Sequence, residues 1–279
     1  MVRRNIAQSR IYISIPQPII MATMKRKQVV DTEGWTHVVR KPRGTGYSKD
    51  RRVVRSNTHA GDFEINGVPY LDRTLENLHQ EFCHWKKEWE ESSACEKLQI
   101  LLLKRKGSCG MKKVSNIVVL GLGSLLSARR DARRSSGTQL AAVQTILEIL
   151  GPEIPVVVQD PQYTETDETF LSTRGWRVVK DPQAFDFVCE SSLVFAVHCY
   201  IEIYKSIASR NKAPAVIIGT KMDNFKRMEN SLDMIETALL LDNMVEECEA
   251  IDFPQIRYDF SDTKIYWRKK LNSTYSNDK

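Results

Sequence analysis

Long hydrophobic runs are missing from this sequence of 279 residues. A membrane-spanning helix needs about 20 consecutive apolar residues, and the longest apolar segments here, IVVLGLGSLL and PAVIIGT, are only as long as buried strands. Hydrophobic residues nevertheless make up 42% of the chain and charged residues 27%. This balance is typical of a globular protein and excludes disorder throughout. We therefore expect a soluble protein without a membrane partner.

Cysteine is sparse and scattered. The chain has six cysteines, no Cys-x-x-Cys pair and no secretory signal, so we predict a reducing compartment, the cytoplasm or the nucleus. Metal-binding residues are not clustered either. His79, Cys83 and His84 come nearest to a cluster, but their spacing on one predicted helix falls short of the ligand set of a zinc site. No metal site is predicted.

Positive charge is concentrated near the N-terminus. Residues 1–56 contain 13 Lys and Arg against three acids, whereas the remaining residues carry a net charge of −4. We predict a basic, largely disordered arm over residues 1–56. Such an arm could contact nucleic acid, but a solvated leader is preferred because the rest of the chain is mildly acidic. The acid-free first 30 residues leave a mitochondrial presequence as the alternative localisation, against which Pro16 and Pro18 argue.

A helical segment is predicted ahead of the sheet. Apolar residues recur at intervals of four and three between residues 71 and 89, which is the pattern of one face of an amphipathic helix. Ser93 and Glu96 have the spacing of a capping box before a second helix. We predict that residues 57–110 form a helical extension packing on the domain behind it, with the two tryptophans of the first helix as core contacts.

Short β-branched runs alternate with helical stretches from residue 114 onward. The runs are VSNIVVLG, PVVVQD, WRVV, SLVFAVH and PAVIIGT. Each is apolar on consecutive residues, as expected of parallel strands covered by helices on both faces. Residues 111–279 are therefore predicted to form a Rossmann-like three-layer α/β sandwich with a mostly parallel sheet. Helices are expected near residues 137–150, 164–173, 200–210 and 231–248, and the C-terminal segment could add an edge strand.

The candidate ligand site lies at the carboxyl ends of these strands, where doubly wound sheets bind their ligands. Gly121 and Gly123 would let the backbone turn sharply and present amide groups, and Asp160 stands where nucleotide-binding folds place a carboxylate. The dinucleotide fingerprint is incomplete, because the third glycine is missing and the acid follows Gly121 by 39 residues instead of about 20. The ligand-binding candidates are Gly121, Gly123, Ser124, Gln139, Asp160, His198, Cys199, Gly219 and Thr220.

Four arginines follow the glycine turn. Arg129, Arg130, Arg133 and Arg134 belong to the insert SLLSARRDARRSSGT. Guanidinium groups next to a glycine turn could bind phosphate, and these four are the phosphate-binding candidates. An exposed polar loop is the alternative.

His198 and Cys199 end an otherwise apolar strand. An imidazole there could serve as a base or a metal ligand. The alternative is a structural pair, in which His198 hydrogen-bonds a neighbouring loop and Cys199 fills space. No nearby Ser or Asp completes a triad, so no catalytic residue is assigned.

Four segments carry a resemblance to a known family, by their order and spacing. They are Gly34-Trp35-Thr36 to Val39, GLGSLLSARRDARRSSGTQLAAV, DPQYTETDETFLSTRGWRVV, and VFAVHCYIEIYKSI with PAVIIGT. Together they resemble the SRR-like family, named for "sensitivity to red light reduced", over roughly residues 34–225. The family pattern includes the glycine turn, Gln139, Asp160 and the His198-Cys199 pair. The sequence departs from it at Ala196-Val197, where Met-Pro is usual, and at Gly219-Thr220, where Asn-Ser is common.

The resemblance implies a regulatory protein. Plant members act in light signalling and circadian timing, and animal members act in heme biosynthesis and clock-gene expression. No catalytic activity established for the whole family carries over to this chain, and no cofactor is assigned. Our first hypothesis is a regulatory protein without catalysis that binds a small ligand or a protein partner. The alternative is an enzyme that uses a nucleotide or S-adenosylmethionine in the strand-end crevice. A nucleic-acid or cytoskeletal adaptor acting through the basic arm is the third.

Overall fold

The computed structural model describes residues 27–30, 36–39, 61–106, 113–210, 213–226 and 232–269. The chain divides into two units, residues 1–56 and residues 57–279. In the first unit, strand β1 (Lys27–Val30) pairs antiparallel with β2 (Thr36–Val39). The rest of the predicted disordered arm lies outside the described residues, and the domain boundaries given above stay a prediction.

The second unit begins with a hairpin and two helices. Strands β3 (Phe63–Ile65) and β4 (Val68–Tyr70) pair antiparallel. Helix α1 (Leu75–Glu90) and helix α2 (Ser93–Lys106) follow. Burial of Trp85 and Trp89, which are 5% and 0% exposed, confirms that both are core contacts.

The cap of α2 lies one residue earlier than predicted. The Ser92 hydroxyl accepts a hydrogen bond from the Cys95 amide at 3.1 Å. Ser93 is already the first helical residue, because the turn after α1 is only two residues long. The capping box of Ser93 and Glu96 is therefore wrong.

The remaining elements form the sheet and its covering helices. The strands are β5 (Asn116–Leu120), β6 (Val156–Gln159), β7 (Arg177–Val178), β8 (Ser192–Ala196), β9 (Val216–Thr220), β10 (Cys248–Asp252) and β11 (Thr263–Arg268). The helices are α3 (Arg130–Leu150), α4 (Glu165–Ser172), α5 (Ile201–Ala208), α6 (Asp223–Lys226) and α7 (Leu232–Glu246), with a 3₁₀ helix at Gln183–Phe187.

The sheet has seven strands in the order β10-β11-β9-β8-β5-β6-β7. The five strands from β9 to β7 are parallel, and β11 runs antiparallel between β9 and β10. This confirms the predicted Rossmann-like fold, although the C-terminal segment adds two strands instead of one. The chain reverses its direction of travel across the sheet between β5 and β8. Ligands of doubly wound sheets bind at such a switch point.

Two apolar layers cover the sheet, one on each face. Ile117 and Val119 of β5 pack with α1 to α4, whereas Val118 and Leu120 pack with α5, α6 and α7. Each strand therefore buries both of its faces, which explains why its sequence is apolar on consecutive residues. No helix in the described ranges is long and apolar enough to cross a membrane.

Local signals set several of the helix ends. The Thr164 hydroxyl and the Asp167 carboxylate form a reciprocal capping box at the start of α4. Gly151 ends α3, and Gly175 follows α4 with a φ of +75°, a backbone conformation that glycine adopts at little cost.

Candidate functional site

The ends of β5 and β6 are joined through one carboxylate. Gly121 and Gly123 have φ angles of +68° and +80°, which turn the backbone away from the sheet. The Gly123 amide then donates to Asp160 Oδ2 at 2.6 Å, and the Gln162 amide donates to Asp160 Oδ1 at 2.7 Å. Both carboxylate oxygens of Asp160 are thus oriented by backbone groups.

The environment of Asp160 disfavours its charge. Burial, with a smaller contribution from the nearby carboxylates of Asp167 and Asp181, raises the pKa of Asp160 to about 6 against the lowering effect of the two amide bonds. Asp160 has no ion pair within the described part of the chain. A partly buried carboxylate without a cation is well suited to accept hydrogen bonds from a ligand hydroxyl or ammonium group.

Cys199 lies directly against the glycine turn. A Cβ atom on Gly121 would stand only 2.5 Å from Cys199 Sγ, and the thiol lies 3.4 Å from the Leu120 carbonyl oxygen. Burial, and secondarily the charge of Asp160, raise the pKa of Cys199 far above its usual range. The neutral thiol is a weak nucleophile and a weak metal ligand.

His198 forms a hydrogen bond to the segment that leads into β11. Its Nε2 atom lies 2.8 Å from the Ser261 carbonyl oxygen. Since a carbonyl oxygen only accepts hydrogen bonds, Nε2 carries the proton. The Lys221 amide donates to the Asp262 carbonyl oxygen at 2.6 Å nearby. His198 is exposed, and its backbone lies in the left-handed region, with a φ of +57°. This contact matches the alternative in which His198 hydrogen-bonds a neighbouring loop.

Ser124 and Gln139 are turned inward. The Ser124 hydroxyl donates to Asp167 Oδ2 at 2.7 Å and accepts from the Leu126 amide at 2.9 Å. The Gln139 side-chain amide donates to the Asp259 carbonyl oxygen at 3.0 Å, which ties α3 to the loop before β11. Both side chains are buried and bond to other protein groups.

Asp167 is a central residue of this support. Its carboxylate accepts hydrogen bonds from the Ser124 hydroxyl, from the amide and hydroxyl of Thr164, and from the Leu125 amide. The side chain is fully buried, and burial raises the pKa of Asp167. Its capping-box spacing with Thr164 was visible in the sequence, but its bond to the loop after β5 was not.

Gly219 and Thr220 lie at the carboxyl end of β9. A Cβ atom on Gly219 would meet Tyr204 Cε1 at 2.8 Å, so only glycine allows this approach. The Tyr204 hydroxyl donates to the Ala196 carbonyl oxygen and accepts from the Thr220 amide. The Thr220 hydroxyl is buried and has no hydrogen-bond partner among the described residues.

The four arginines do not form a loop. Helix α3 begins at Arg130, seven residues earlier than predicted, so the alternative of an exposed loop is wrong. The Arg133 guanidinium is buried and bonds to Glu81 and to the carbonyl oxygens of Ser127 and Ala128. The others also lie near protein groups. Arg129 pairs with Asp131, Arg134 pairs with Asp259, and Arg130 lies over the Trp85 ring.

Two tyrosines near Asp160 were missed by the sequence analysis. The Tyr163 hydroxyl is buried without a partner in the described ranges, and burial together with Asp160 and Asp167 raises the pKa of Tyr163. Burial and the same two carboxylates raise the pKa of Tyr70, on β4, to about 12. Tyr163 lies in the same segment as Asp160, which could have suggested it. No signal in the sequence placed the β3–β4 hairpin here.

The predicted helix carrying His79, Cys83 and His84 is α1. Cys83 Sγ lies 3.6 Å from His79 Nε2, and His84 Nε2 lies 3.2 Å from a Glu88 carboxylate oxygen. The described residues contain no group of three or more His, Cys, Asp or Glu side chains that could hold a metal ion.

The sequence model of the SRR1 domain matches residues 77–267, which run from the first turn of α1 to the penultimate residue of β11. The chain belongs to the SRR1 domain family. The resemblance noted from the glycine turn, Asp160 and the His198-Cys199 pair is thereby confirmed. No curated protein matches the chain in sequence.

Solved structures show partial likeness in fold. A protein from Corynebacterium glutamicum has 11% identity and a TM-score of 0.40, over 72% of this chain and 91% of that one. Fibrillarin from Aeropyrum pernix, in complex with natively bound S-adenosyl-L-methionine, has 11% identity and a TM-score of 0.34, over 60% and 73%. The N-methyltransferase NodS from Bradyrhizobium japonicum has 11% identity and a TM-score of 0.32, over 64% and 98%.

Proposed function

We propose that this SRR1 domain protein is a regulatory module without catalysis, which binds a small ligand in the crevice at the carboxyl ends of β5, β6 and β8. The Asp160 carboxylate is the observation that carries this proposal. Two backbone amides fix its orientation, and no protein cation neutralises it among the described residues. Light signalling, circadian timing and heme biosynthesis are the settings that the family resemblance suggests.

The charges around the crevice favour a neutral or cationic ligand. Asp167 and Asp181 add negative charge close to Asp160, whereas Arg133 and Arg134 bond to Glu81 and Asp259. A phosphate group would meet repulsion next to Asp160. Adjacent hydroxyl groups, as in an unphosphorylated ribose, or an ammonium group would instead donate hydrogen bonds to it.

The states of Cys199 and His198, the two side chains best able to react, favour a binding function over a catalytic one. The pKa of the Cys199 thiol is raised, so little of it is thiolate near neutral pH. His198 Nε2 is bonded to the Ser261 carbonyl oxygen, so in this conformation that nitrogen accepts no proton from a substrate.

A ligand panel with thermal unfolding as the readout tests this function. Adenosine, S-adenosylmethionine and S-adenosylhomocysteine are compared with 2′,3′-O-isopropylidene-adenosine, whose diol is blocked. A binder at 100 times its Kd stabilises the fold by about 2.7 kcal/mol, which raises Tm by about 5 °C or more for a domain of this size. We expect the shift to require the free diol and to disappear in Asp160→Asn but not in the matched Asp186→Asn, which changes an exposed carboxylate that pairs with Arg210. A shift that survives Asp160→Asn would refute the proposal.

An enzyme that uses a nucleotide or S-adenosylmethionine is the second candidate. It is favoured by the left-handed glycine turn after β5, combined with a carboxylate after β6, which is where nucleotide-binding folds place their ribose ligand. Chromatography of the bound ligand after prolonged incubation separates the two functions. Recovery of the intact ligand supports the regulatory module, and conversion to product establishes the enzyme.

A further inference from the structure

Two helices expose aliphatic side chains at helical spacing. Isolated exposed apolar residues are ordinary, but a stripe on one helix face marks an interaction surface. The stripe on α7 consists of Leu232, Ile235 and Leu239, which are 79%, 41% and 58% exposed. The stripe on α2 consists of Ile100 and Leu103, which are 58% and 60% exposed.

The stripe on α7 has acidic borders. Helix α7 contains four acids and no Lys, Arg or His between Leu232 and Glu246. Asp233 pairs with Lys205 of α5 at 2.7 Å. Glu236 and Glu246 are exposed, and the helical repeat places Glu236 beside Leu239 and Glu246 two turns beyond it on the same side of the helix. We call the three aliphatic residues of α7, together with Glu236 and Glu246, the acidic stripe.

The stripe on α2 has basic borders. Lys97 and Lys104 are exposed and lie three residues before and four residues after Ile100, so they share its side of the helix. The exposed Glu96, four residues before Ile100, lies on that side too, and the two lysines outnumber it. Arg105 pairs with Glu249 and Lys106 bonds to the Ile149 carbonyl oxygen. Ile100 and Leu103 with Lys97 and Lys104 are called the basic stripe.

The two stripes lie on opposite faces of the sheet. Leu98 and Leu102 of α2 belong to one apolar layer, whereas Leu241 and Met244 of α7 belong to the other. They cannot meet within one molecule. Two acidic stripes facing each other would oppose like charges, which is unfavourable. The basic stripe of a second copy is complementary to the acidic stripe in both charge and apolar character.

We propose that α2 of one copy docks on α7 of a second copy, so that the aliphatic side chains of the basic stripe pack against Ile235 and Leu239 of the acidic stripe. The helices have 14 and 15 residues, so each is about 21 Å long. A contact of one helix pair is small, and small interfaces are weak and transient. The contact is also heterologous, so it produces rings or chains of copies instead of a closed symmetric pair.

Charge-swapped variants of the full chain test this contact by sedimentation equilibrium. We expect the average mass of the wild-type protein to rise with concentration. Glu236→Lys and Lys104→Glu should each weaken association about tenfold or more, because each places like charges opposite one another. An equimolar mixture of the two variants should restore association. The unaltered α2 of Glu236→Lys can then contact the unaltered α7 of Lys104→Glu, and the two altered helices also carry opposite charges.

Matched reversals outside both stripes serve as controls. Glu64→Lys and Lys113→Glu change exposed residues and should leave association at the wild-type level. Circular dichroism melting establishes that all variants are folded. A wild-type protein that stays monomeric at about 1 mM, where even a contact with a Kd of about 1 mM is substantially populated, would overturn the proposal. So would a mixture that associates no better than its two components.

Discussion

Replacement of Gly121 by alanine tests how closely the ends of β5 and β8 approach each other. The added Cβ would force a left-handed φ of +68° on an L-residue, which costs about 1–2 kcal/mol. It would also overlap Cys199 Sγ, 2.5 Å away, and overpacking of this kind costs about 1–3 kcal/mol. We therefore expect Gly121→Ala to lower the free energy of unfolding by about 2–5 kcal/mol, as the sum of those two effects.

Gly175→Ala is the matched control for backbone strain. Gly175 has a φ of +75°, but among the described residues no atom lies within 4 Å of its added Cβ, so its substitution should cost only about 1–2 kcal/mol. Cys199→Ala in the Gly121→Ala background should relieve the overlap and give a coupling energy of about 1–3 kcal/mol. Urea denaturation of these variants and the wild type measures these differences. Equal costs for the two glycine substitutions, or additive effects of Gly121→Ala and Cys199→Ala, would refute the close approach.

Three further predictions concern the same region. Ser124→Ala removes one donor from the buried Asp167 carboxylate and should lower the free energy of unfolding by about 1–3 kcal/mol. The control Ser206→Ala, at an exposed hydroxyl on α5, should change it by less than about 0.5 kcal/mol in urea denaturation. Equal effects of the two substitutions would contradict the anchoring role of Asp167. Because the pKa of Asp160 rises from 3.8 to about 6 on folding, the folded state binds more protons than the unfolded state between these pH values, and stability should fall as pH rises through that window by up to about 3 kcal/mol. Denaturation from pH 4 to 7 should show this decrease in the wild type and a flatter profile in Asp160→Asn, and identical profiles would count against it. Hydrogen bonds from Ser191 and Ser192 lower the pKa of the exposed Cys189 thiol, while burial raises the pKa of Cys199. Iodoacetamide should therefore label Cys189 at least about tenfold faster than Cys199, as measured by peptide mass spectrometry. Faster labelling of Cys199 would show that its thiol is not protected.

Much of the fold could be predicted from the sequence because the runs of consecutive apolar residues reflect the burial of both faces of each strand. Strands covered on both faces are apolar on consecutive residues, as Val156–Gln159 and Ser192–Ala196 are, and that pattern indicates a parallel sheet. The start of α3 was predicted seven residues late. A run of four arginines is typical of a solvated loop, whereas Arg133 is buried through its bonds to Glu81 and two carbonyl oxygens.

The candidate site was only partly accessible from the sequence. The glycine turn and Asp160 follow consecutive strands, so their proximity could be expected from the topology alone. Two features depend on contacts between segments far apart in the chain. They are the hydrogen bond between Ser124 and Asp167 and the position of Tyr70, on the β3–β4 hairpin, near Asp160. Such long-range contacts leave no periodic signal in a single sequence.

We propose that the Asp160 carboxylate holds a small hydroxyl- or ammonium-bearing ligand at the ends of β5, β6 and β8. The decisive test is a crystal structure of the full chain with the strongest binder from the thermal panel. We expect an intact ligand whose donor atoms lie within hydrogen-bond distance of the Asp160 oxygens. A ligand bound through Arg129 and Arg130 instead, or one without contact to Asp160, would contradict it.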